Sequence, residues 1–412
     1  MRNLLRNEGI ASTLYSPAPG RANLYALLKG KNSSAGSLIF THHMDVVGAD
    51  EEAWTHPPFS GEIVNGEIWG RGAIDLKGLG IAQLGAFIAL KRSGIQLDRD
   101  TAYLAVSDEE VNGKHGTQWM LRHHPELFQN VAGVINEAGP GYLAQDGSVE
   151  YWEVMPSQKL ALEVKLTAIG TPGHGSLPFA NSAPNRLVRA LDRIRKYKTP
   201  VIVLPEVASY FKQIARFETG ERRDQLKNLP ESLKNRKFYR WFVRHLQWNA
   251  MVRNTISITG MEGSSKVNVI PAEASAVLDC RLLPSQDPKT FLDALRSVID
   301  DNHVSVTCQN DEAQTPSAPV DSPLFNMISN VIDAHFPKTP VVSFSPFSSN
   351  DNRFYLQHGI NAYGFFPFLF SRSELDRMHG NDERISVENM KLGVKMLYDI
   401  AVRFAGSSSP SA

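Results

Sequence analysis

The stretch from Ile39 to Gly78 constrains this chain most. Ser37-Leu-Ile-Phe-Thr41 reads as a buried strand that runs into His43, Met44 and Asp45. Further on, a short strand ends at Trp69, and the chain turns through Gly70 and Gly72 to Asp75, before an apolar-periodic helix that begins near Gly78. Both halves place a metal-binding residue type just past a predicted strand, which is where open α/β sheets build their sites. In His43-x-Asp45 the carboxylate projects to the same side as the ring. A metal-bound histidine commonly donates its second N–H to such a group. Asp75 offers two oxygens, enough to bind one cation or bridge two. Taken alone, His43 equally fits a satisfied core histidine, and Asp75 a helix N-cap.

Length, charge and cysteine usage narrow the class. The 412 residues suggest two or three domains. Lys+Arg and Asp+Glu are both 43, so nothing points to a nucleic-acid partner. The basic stretch Arg222 to Arg244 is diluted by Glu218, Glu221, Asp224 and Glu231 and reads as a solvated helical face. Two cysteines, Cys280 and Cys308, make neither a disulfide framework nor a Cys-x-x-Cys site, so any metal must be held by His and carboxylates. No apolar run approaches a membrane span, and Met1-Arg-Asn-Leu-Leu-Arg6 lacks the apolar core of a signal peptide. Cytoplasm is the default expectation, with no membrane partner.

The apolar pattern divides the chain. Strands are expected near Thr13–Tyr15 and over Ala22–Leu28, Thr101–Val106 and Gly133–Ile135, with a helix over Gly80–Lys91. Alternating strands and helices predict an α/β catalytic domain, a mostly parallel sheet with helices on both faces, built from residues 1–155 and 287–412. Residues 156–286 alternate as half-exposed strands around a helix from Pro184 to Tyr197, which predicts an inserted α+β domain of ferredoxin-like type. It carries a helical, charged insertion at about 206–248. A closing helix spans Val387–Phe404, and the Ser/Pro-rich tail 406–412 reads as disordered.

More carboxylates follow predicted strands. Ser107-Asp108-Glu109-Glu110 comes directly after Val106, and three consecutive acids need something positive to offset them. Adjacent glutamates leave the backbone in different directions, so one can hold metal while the other faces substrate as a base. An acidic helix start is the plainer reading. Asn136-Glu137-Ala138-Gly139-Pro140 repeats the arrangement, and Met378-His379-Gly380 supplies a second histidine. His43, Asp75, Glu110, Glu137 and His379 together suit two divalent ions bridged by one Asp.

The order His-x-Asp, Gly-Arg-Gly-x-x-Asp-x-Lys-Gly, Asp-Glu-Glu, a later Glu and a late His-Gly resembles the M20 family of dinuclear zinc peptidases and amidohydrolases over nearly the whole chain. Trp54-Thr-His-Pro-Pro-Phe-Ser-Gly61 leans toward its carboxypeptidase S and N-acyl-amino-acid hydrolase side. The resemblance implies that His43, Asp75 and Glu137 surround one ion and Asp75, Glu110 and His379 the other. The ions are expected to be Zn2+, with Co2+ or Mn2+ as alternatives. Asp45 would orient His43, Glu109 would be the general base, and Asp75-Leu76 would be a cis peptide. Hydrolysis of an amide or peptide bond beside a free carboxylate, in an N-acyl amino acid or small peptide, would use a water held between the ions.

In the inserted domain, Gly170-Thr-Pro-Gly-His-Gly-Ser176 matches the family's glycine/histidine segment. By resemblance His174 would reach the metal site of a partner subunit and stabilise the oxyanion, in a homodimer formed through that domain. Asn268 and Arg281 resemble substrate-contacting positions. Arg353, in Asn350-Asp351-Asn352-Arg353-Phe354, resembles the arginine that binds the substrate carboxylate, a task its planar fork suits. A turn histidine and ordinary salt bridges are the plainer readings of His174, Arg281 and Arg353. The chain reaches His43 earlier than most members do, and Asp382 stands where relatives often have Asn. A non-catalytic binding protein of the same fold and a dinuclear aminopeptidase of another family are the competing readings. A glycosidase acid/base pair from Asp108 and Glu109 fails, because adjacent residues cannot flank a sugar bond at the needed separation.

Overall fold

The computed structural model describes residues 1–310, 313–343 and 349–406, so all of the Ser/Pro-rich tail beyond Gly406 lies outside the described residues. Two compact units result. The first takes residues 1–157 and the described residues from 317 on, apart from Ser349; the second takes the described residues of Gln158–Pro316 together with Ser349.

The first unit is built on a six-stranded sheet. β1 (Ser12–Ala18), β2 (Arg21–Leu28), β3 (Ser37–His43), β4 (Thr101–Val106) and β5 (Val131–Asn136) lie in the order β1-β2-β4-β3-β5, and the short strand Ala362–Gly364 follows β5. β4, β3, β5 and Ala362–Gly364 are mutually parallel, whereas β1–β2 and β2–β4 pair antiparallel. The sheet is mostly parallel, as expected from the sequence, and β2 alone runs against the rest. The reason is local: Pro19-Gly20 closes β1 onto β2 as a two-residue turn with Gly20 at φ +72°, and such a turn can only join antiparallel strands.

Continuous apolar runs suit strands covered on both faces. Tyr103 and Ala105 of β4 pack with Leu84 and Phe87 of the helix Lys77–Ser93, while Leu104 and Val106 join a cluster with Leu121 and Phe354. That helix ends at Gly94, in the left-handed conformation glycine favours. It packs against the closing helix Val387–Ala405. β3 is the topological switch: the chain passes from β3 to β4 on one side, then to β5 on the other. The crevice at the carboxyl ends of these three strands is where ligands bind in such sheets.

The second unit follows a β–α–β–β–α–β path. β6 (Leu160–Ile169), β7 (Thr255–Glu262), β8 (Glu273–Leu282) and β9 (Val304–Cys308) form an antiparallel sheet in the order β7-β8-β6-β9. Helices Ala183–Lys196 and Pro288–Ile299 pack together over it, contributing Leu187, Leu191, Leu295 and Ile299 to its core. This is the split-βαβ, ferredoxin-like arrangement. It extends about thirty residues beyond the boundary at 286 expected from sequence, because Pro288–Ile299 and β9 pack on β6 rather than returning to the first sheet.

The insertion at about 206–248 is helical, but it is not simply a solvated face. Phe211, Phe238 and Phe242 are buried, with Phe211 and Phe242 against Trp248 and Phe238 against Trp241, and the Arg222 guanidinium lies 3.9 Å from the Trp241 ring centre. Among the described residues, no helix is long and apolar enough to cross a membrane.

Lys159, at the entry to β6, is buried, and its Nζ donates to the carbonyls of Ala250 and Arg253 at 3.1 and 2.9 Å. Burial, reinforced by the Arg281 charge, holds its ammonium down from the usual 10.5 to about 7. Between those two values the folded chain binds fewer protons than the unfolded one, so stability rises with pH across that window. The urea midpoint should climb through it, and Lys159→Met should flatten the climb; equal slopes in both proteins would contradict this burial.

Candidate metal centre

Three neighbouring parallel strands deliver the first part of the site. His43 ends β3, pairing with Val106 at the end of β4, while β5 ends at Asn136, directly before Glu137. Alternation of side chains along β3 separates the two adjacent histidines. His42 turns away, its Nδ1 3.1 Å from Gln83 Oε1, and burial pushes its pKa down to about 3. A Cβ on Gly80 would lie 2.3 Å from the His42 ring, so this helix can approach β3 only with glycine there. His43 points the other way, into the site.

There its Nε2 lies 3.0 Å from Asp75 Oδ1 and 3.7 Å from Glu137 Oε2. The other Asp75 oxygen, Oδ2, lies 3.1 Å from His379 Nε2, which in turn is 3.3 Å from Glu110 Oε1. Asp75 thus stands between two imidazoles, each with a further carboxylate beside it. Asp75-Leu76 is a cis peptide. These distances bring together His43, Asp75 and Glu137 on one side and Asp75, Glu110 and His379 on the other. By mutual distance, ligand atoms of His43, Glu109 and Glu137, and likewise of His43, Asp75 and Glu110, lie within 4.8 Å of one another, so Glu109 borders the same space.

Asp45 behaves differently from the expectation. His43 Nδ1 faces the Asp45 backbone carbonyl at 2.9 Å, while the nearer carboxylate oxygen is 3.7 Å away. The carboxylate instead accepts from the backbone N–H groups of Glu109 and Glu110, at 3.2 and 3.1 Å. One residue therefore sets the imidazole with its main chain and both glutamates with its side chain. Asp108, at φ +76°, turns out of the cluster to the Arg21 guanidinium, 3.1 Å away. Only two of the three consecutive acids enter the site.

Electrostatics show what the cluster lacks. Burial, then repulsion by Glu137 and Asp351, pushes Glu109 up to about 10, although His43 and Arg353 pull the other way. Burial likewise raises Glu137 to about 7, against the pull of His43. Burial and the Asp75 charge raise Glu110. His379 is lifted to about 9, chiefly by its hydrogen bond to Asp75. Burial opposes protonation of His43, but Glu137 and Asp75 outweigh it. Glu137 Oε1 is buried without a hydrogen-bond partner. A crowd of carboxylates that holds protons, with an orphaned buried oxygen, fits residues shaped for cations. The hard oxygen and imidazole donors suit a divalent ion.

Two residues with no sequence signal beyond their place in the motifs hold this cluster together. Glu383 is fully buried: Oε1 accepts from Ile74 N and Asp75 N at 2.7 and 2.8 Å, and Oε2 from Gly72 N and the Arg71 guanidinium at 2.9 and 2.7 Å. Arg71 also donates to the Gly380 carbonyl at 2.8 Å. The pair ties the Asp75 loop to the His379 loop, and Trp54 covers it, its ring centre 5.1 Å from the guanidinium carbon. Asp382 fastens the neighbouring segment by accepting from Thr55 N and Oγ1 at 2.7 and 2.8 Å.

Arg353 is buried at the start of the helix Asn352–Gln357, donating to Asn350 O at 3.4 Å and lying over Phe354. In the second unit, His174 and Asn268 are exposed and adjacent: Gly173–His174 pairs with Val269–Ile270, and Gly175 N donates to Asn268 O at 2.8 Å. Ser176 Oγ lies 2.7 Å from His174 Nδ1. The Arg281 guanidinium is taken up by Asp279, at 2.7 and 3.1 Å, as an ordinary salt bridge would have it.

This constellation of histidines and carboxylates at a sheet switch point is a candidate metal site, and comparison with known proteins gives the family. Residues 39–403 match the model of peptidase family M20/M25/M40, and the chain belongs to that family of hydrolases. It is 28% identical over 387 residues to a probable carboxypeptidase S-like 2 of Dictyostelium discoideum, covering 90% of this chain and 72% of that one. It is also 28% identical to N-fatty-acyl-amino acid synthase/hydrolase PM20D1 of Xenopus tropicalis (91% and 74% covered), and 27% identical to aminoacylase-1 of Sus scrofa (92% and 83%). Among solved structures, the M20 family metallo-carboxypeptidase Sso-CP2 of Sulfolobus solfataricus superposes with a TM-score of 0.70 at 18% identity, covering 97% of this chain and 91% of that one.

Removing Glu383 would leave Arg71 unpaired and three buried N–H groups without an acceptor. Glu383→Ala is expected to lower stability in urea by ~3–5 kcal/mol and to reduce bound divalent metal. Wild-type stability and metal content in that variant would contradict the clamp.

Proposed function

We propose that this chain hydrolyses an amide or peptide bond next to a free carboxylate, in an N-acyl amino acid or small peptide, with two divalent cations, most simply Zn2+, bound about Asp75. The observation that carries this reading is Asp75 set between His43 and His379, with Glu137 and Glu110 beside them. The names of the relatives, a carboxypeptidase, an N-fatty-acyl-amino acid hydrolase and an aminoacylase, support the substrate class. His43, Asp75 and Glu137 would hold one cation and Asp75, Glu110 and His379 the other. When bound, such cations acidify a water and polarise the scissile carbonyl.

The chain's own residues do the rest. Glu109 borders both His43 and Glu137. It would take a proton from the attacking water and give it to the leaving amine. Asp45 fixes its backbone. Arg353 supplies a buried positive charge near Glu109 and suits the substrate carboxylate. Exposed His174 would donate to the oxyanion of a partner subunit's centre, in a homodimer formed through the second unit.

Amino acid release from N-acetyl, N-long-chain-acyl and dipeptide substrates, by zinc-loaded and chelated protein, tests the reading. Chelator-sensitive release is expected; none from any substrate with zinc bound would favour a binding role. Glu109→Gln should retain metal and lose roughly 100- to 10,000-fold in kcat, whereas Glu110→Ala should lose metal. Undiminished turnover in Glu109→Gln would remove it as the base. A monomer that is active in a sizing run coupled to assay would refute the role of His174 across subunits.

A further inference from the structure

The second unit carries an open cavity of about 840 Å³, walled by the end of helix Ala183–Lys196, by the insertion helices Arg236–Phe242 and Leu246–Met251, and by β7. Every residue lining it belongs to the second unit. Its charge is one-sided: Arg195, Lys198, Arg240 and Arg253 line it, and among the described residues no Asp or Glu does. Arg195 is engaged by Asp192 at 2.9 Å on the surface, while Lys198 and Arg240 are exposed.

Arg253 is the unusual member. It is only 7% exposed, and its hydrogen-bond acceptors are neutral: Nη1 donates to Thr199 O at 3.1 Å and Nη2 to Tyr239 Oη at 2.8 Å. Its Nε is buried with no partner. Arginine is almost never buried unless paired, since a desolvated charge is costly without an opposite one. Behind this wall the Lys159 side chain donates to the carbonyls of Ala250 and Arg253 and lies 3.3 Å from Thr255 Oγ1. The nearest acid across the β7–β8 ladder, Asp279 opposite Ser257, is already taken up by Arg281. Ile194, Val243 and Ile256 make the remaining wall apolar, and Leu246 stands 81% exposed beside the opening.

We propose that this cavity binds an amphipathic monocarboxylate, its head group on Arg253 and its apolar body along Ile194, Val243 and Ile256, with Lys198 and Arg240 attracting it at the rim. The volume lies within the few-hundred to ~1,000 Å³ range of small-molecule sites. Two of the five N–H donors of the Arg253 guanidinium are engaged, and the remainder suit a carboxylate. The site is independent of the metal centre, so it stands whether or not the hydrolase reading above does.

Octanoate titrated calorimetrically onto the full chain tests this, with chelator and Arg353→Ala used to silence carboxylate binding at the metal centre. Saturable binding of one octanoate per chain is expected, with none for 1-octanol. Arg253→Gln should weaken it at least about tenfold, as should the rim pair Lys198→Glu/Arg240→Glu. The rim variant touches only exposed side chains, so it decides the matter should Arg253→Gln fail to fold. No saturable octanoate binding, equal binding of the alcohol, or wild-type affinity in the rim variant would overturn the proposal.

Discussion

The site depends on one carboxylate held between two imidazoles. Asp75 faces His43 with one oxygen and His379 with the other, at 3.0 and 3.1 Å, although those histidines lie more than 300 residues apart in sequence. Nothing about an aspartate in a loop guarantees such a position. It follows from Glu383, which accepts hydrogen bonds from the backbone just before Asp75 while its Arg71 partner grips the loop of His379. A fully buried glutamate is expensive. Here four donors compensate it, and the outcome is a fixed distance between the two halves of the centre.

The same economy governs the strand ends. β3, β4 and β5 are parallel neighbours, so one edge of the sheet exposes His43, the glutamate pair and Glu137 together. The turns that follow must reverse sharply, and Asp108, Ala138 and His379 all adopt positive φ values, +76°, +77° and +61°, that non-glycine residues seldom occupy. Strained backbone of this kind persists where surrounding contacts over-determine it. Asp45 provides such contacts by binding the N–H groups of Glu109 and Glu110. Burial, with the neighbouring carboxylates adding to it, raises Glu109, Glu110 and Glu137 together, a state that added positive charge relieves.

Much of this was legible in the chain, for physical reasons. β3 and β4 have largely apolar cores, and ligand-type residues at or shortly past the end of each mark the carboxyl edge of a sheet. The reversal of β2 was not distinguished from the parallel strands that follow it, because strand direction is set by the Pro19-Gly20 turn rather than by the strand's own residues. Glu383 was passed over because one glutamate in a loop carries no pattern; its meaning lies in donors some 310 positions earlier. The domain boundary at 286 was early because an amphipathic helix such as Pro288–Ile299 looks the same whichever sheet it covers. The stretch Arg222 to Arg244 reads as a solvated face because charges surround Phe238 and Phe242 in sequence, while the fold buries both rings and leaves Arg236, Lys237 and Arg240 exposed.

The central claim is that Asp75 bridges two cations. Crystals of the zinc-loaded protein, measured on both sides of the zinc absorption edge, test it most directly. Two anomalous peaks are expected with the Asp75 carboxylate between them, one touching His43 and Glu137, the other His379 and Glu110. A single peak, or two peaks that leave Asp75 uncoordinated, would contradict it.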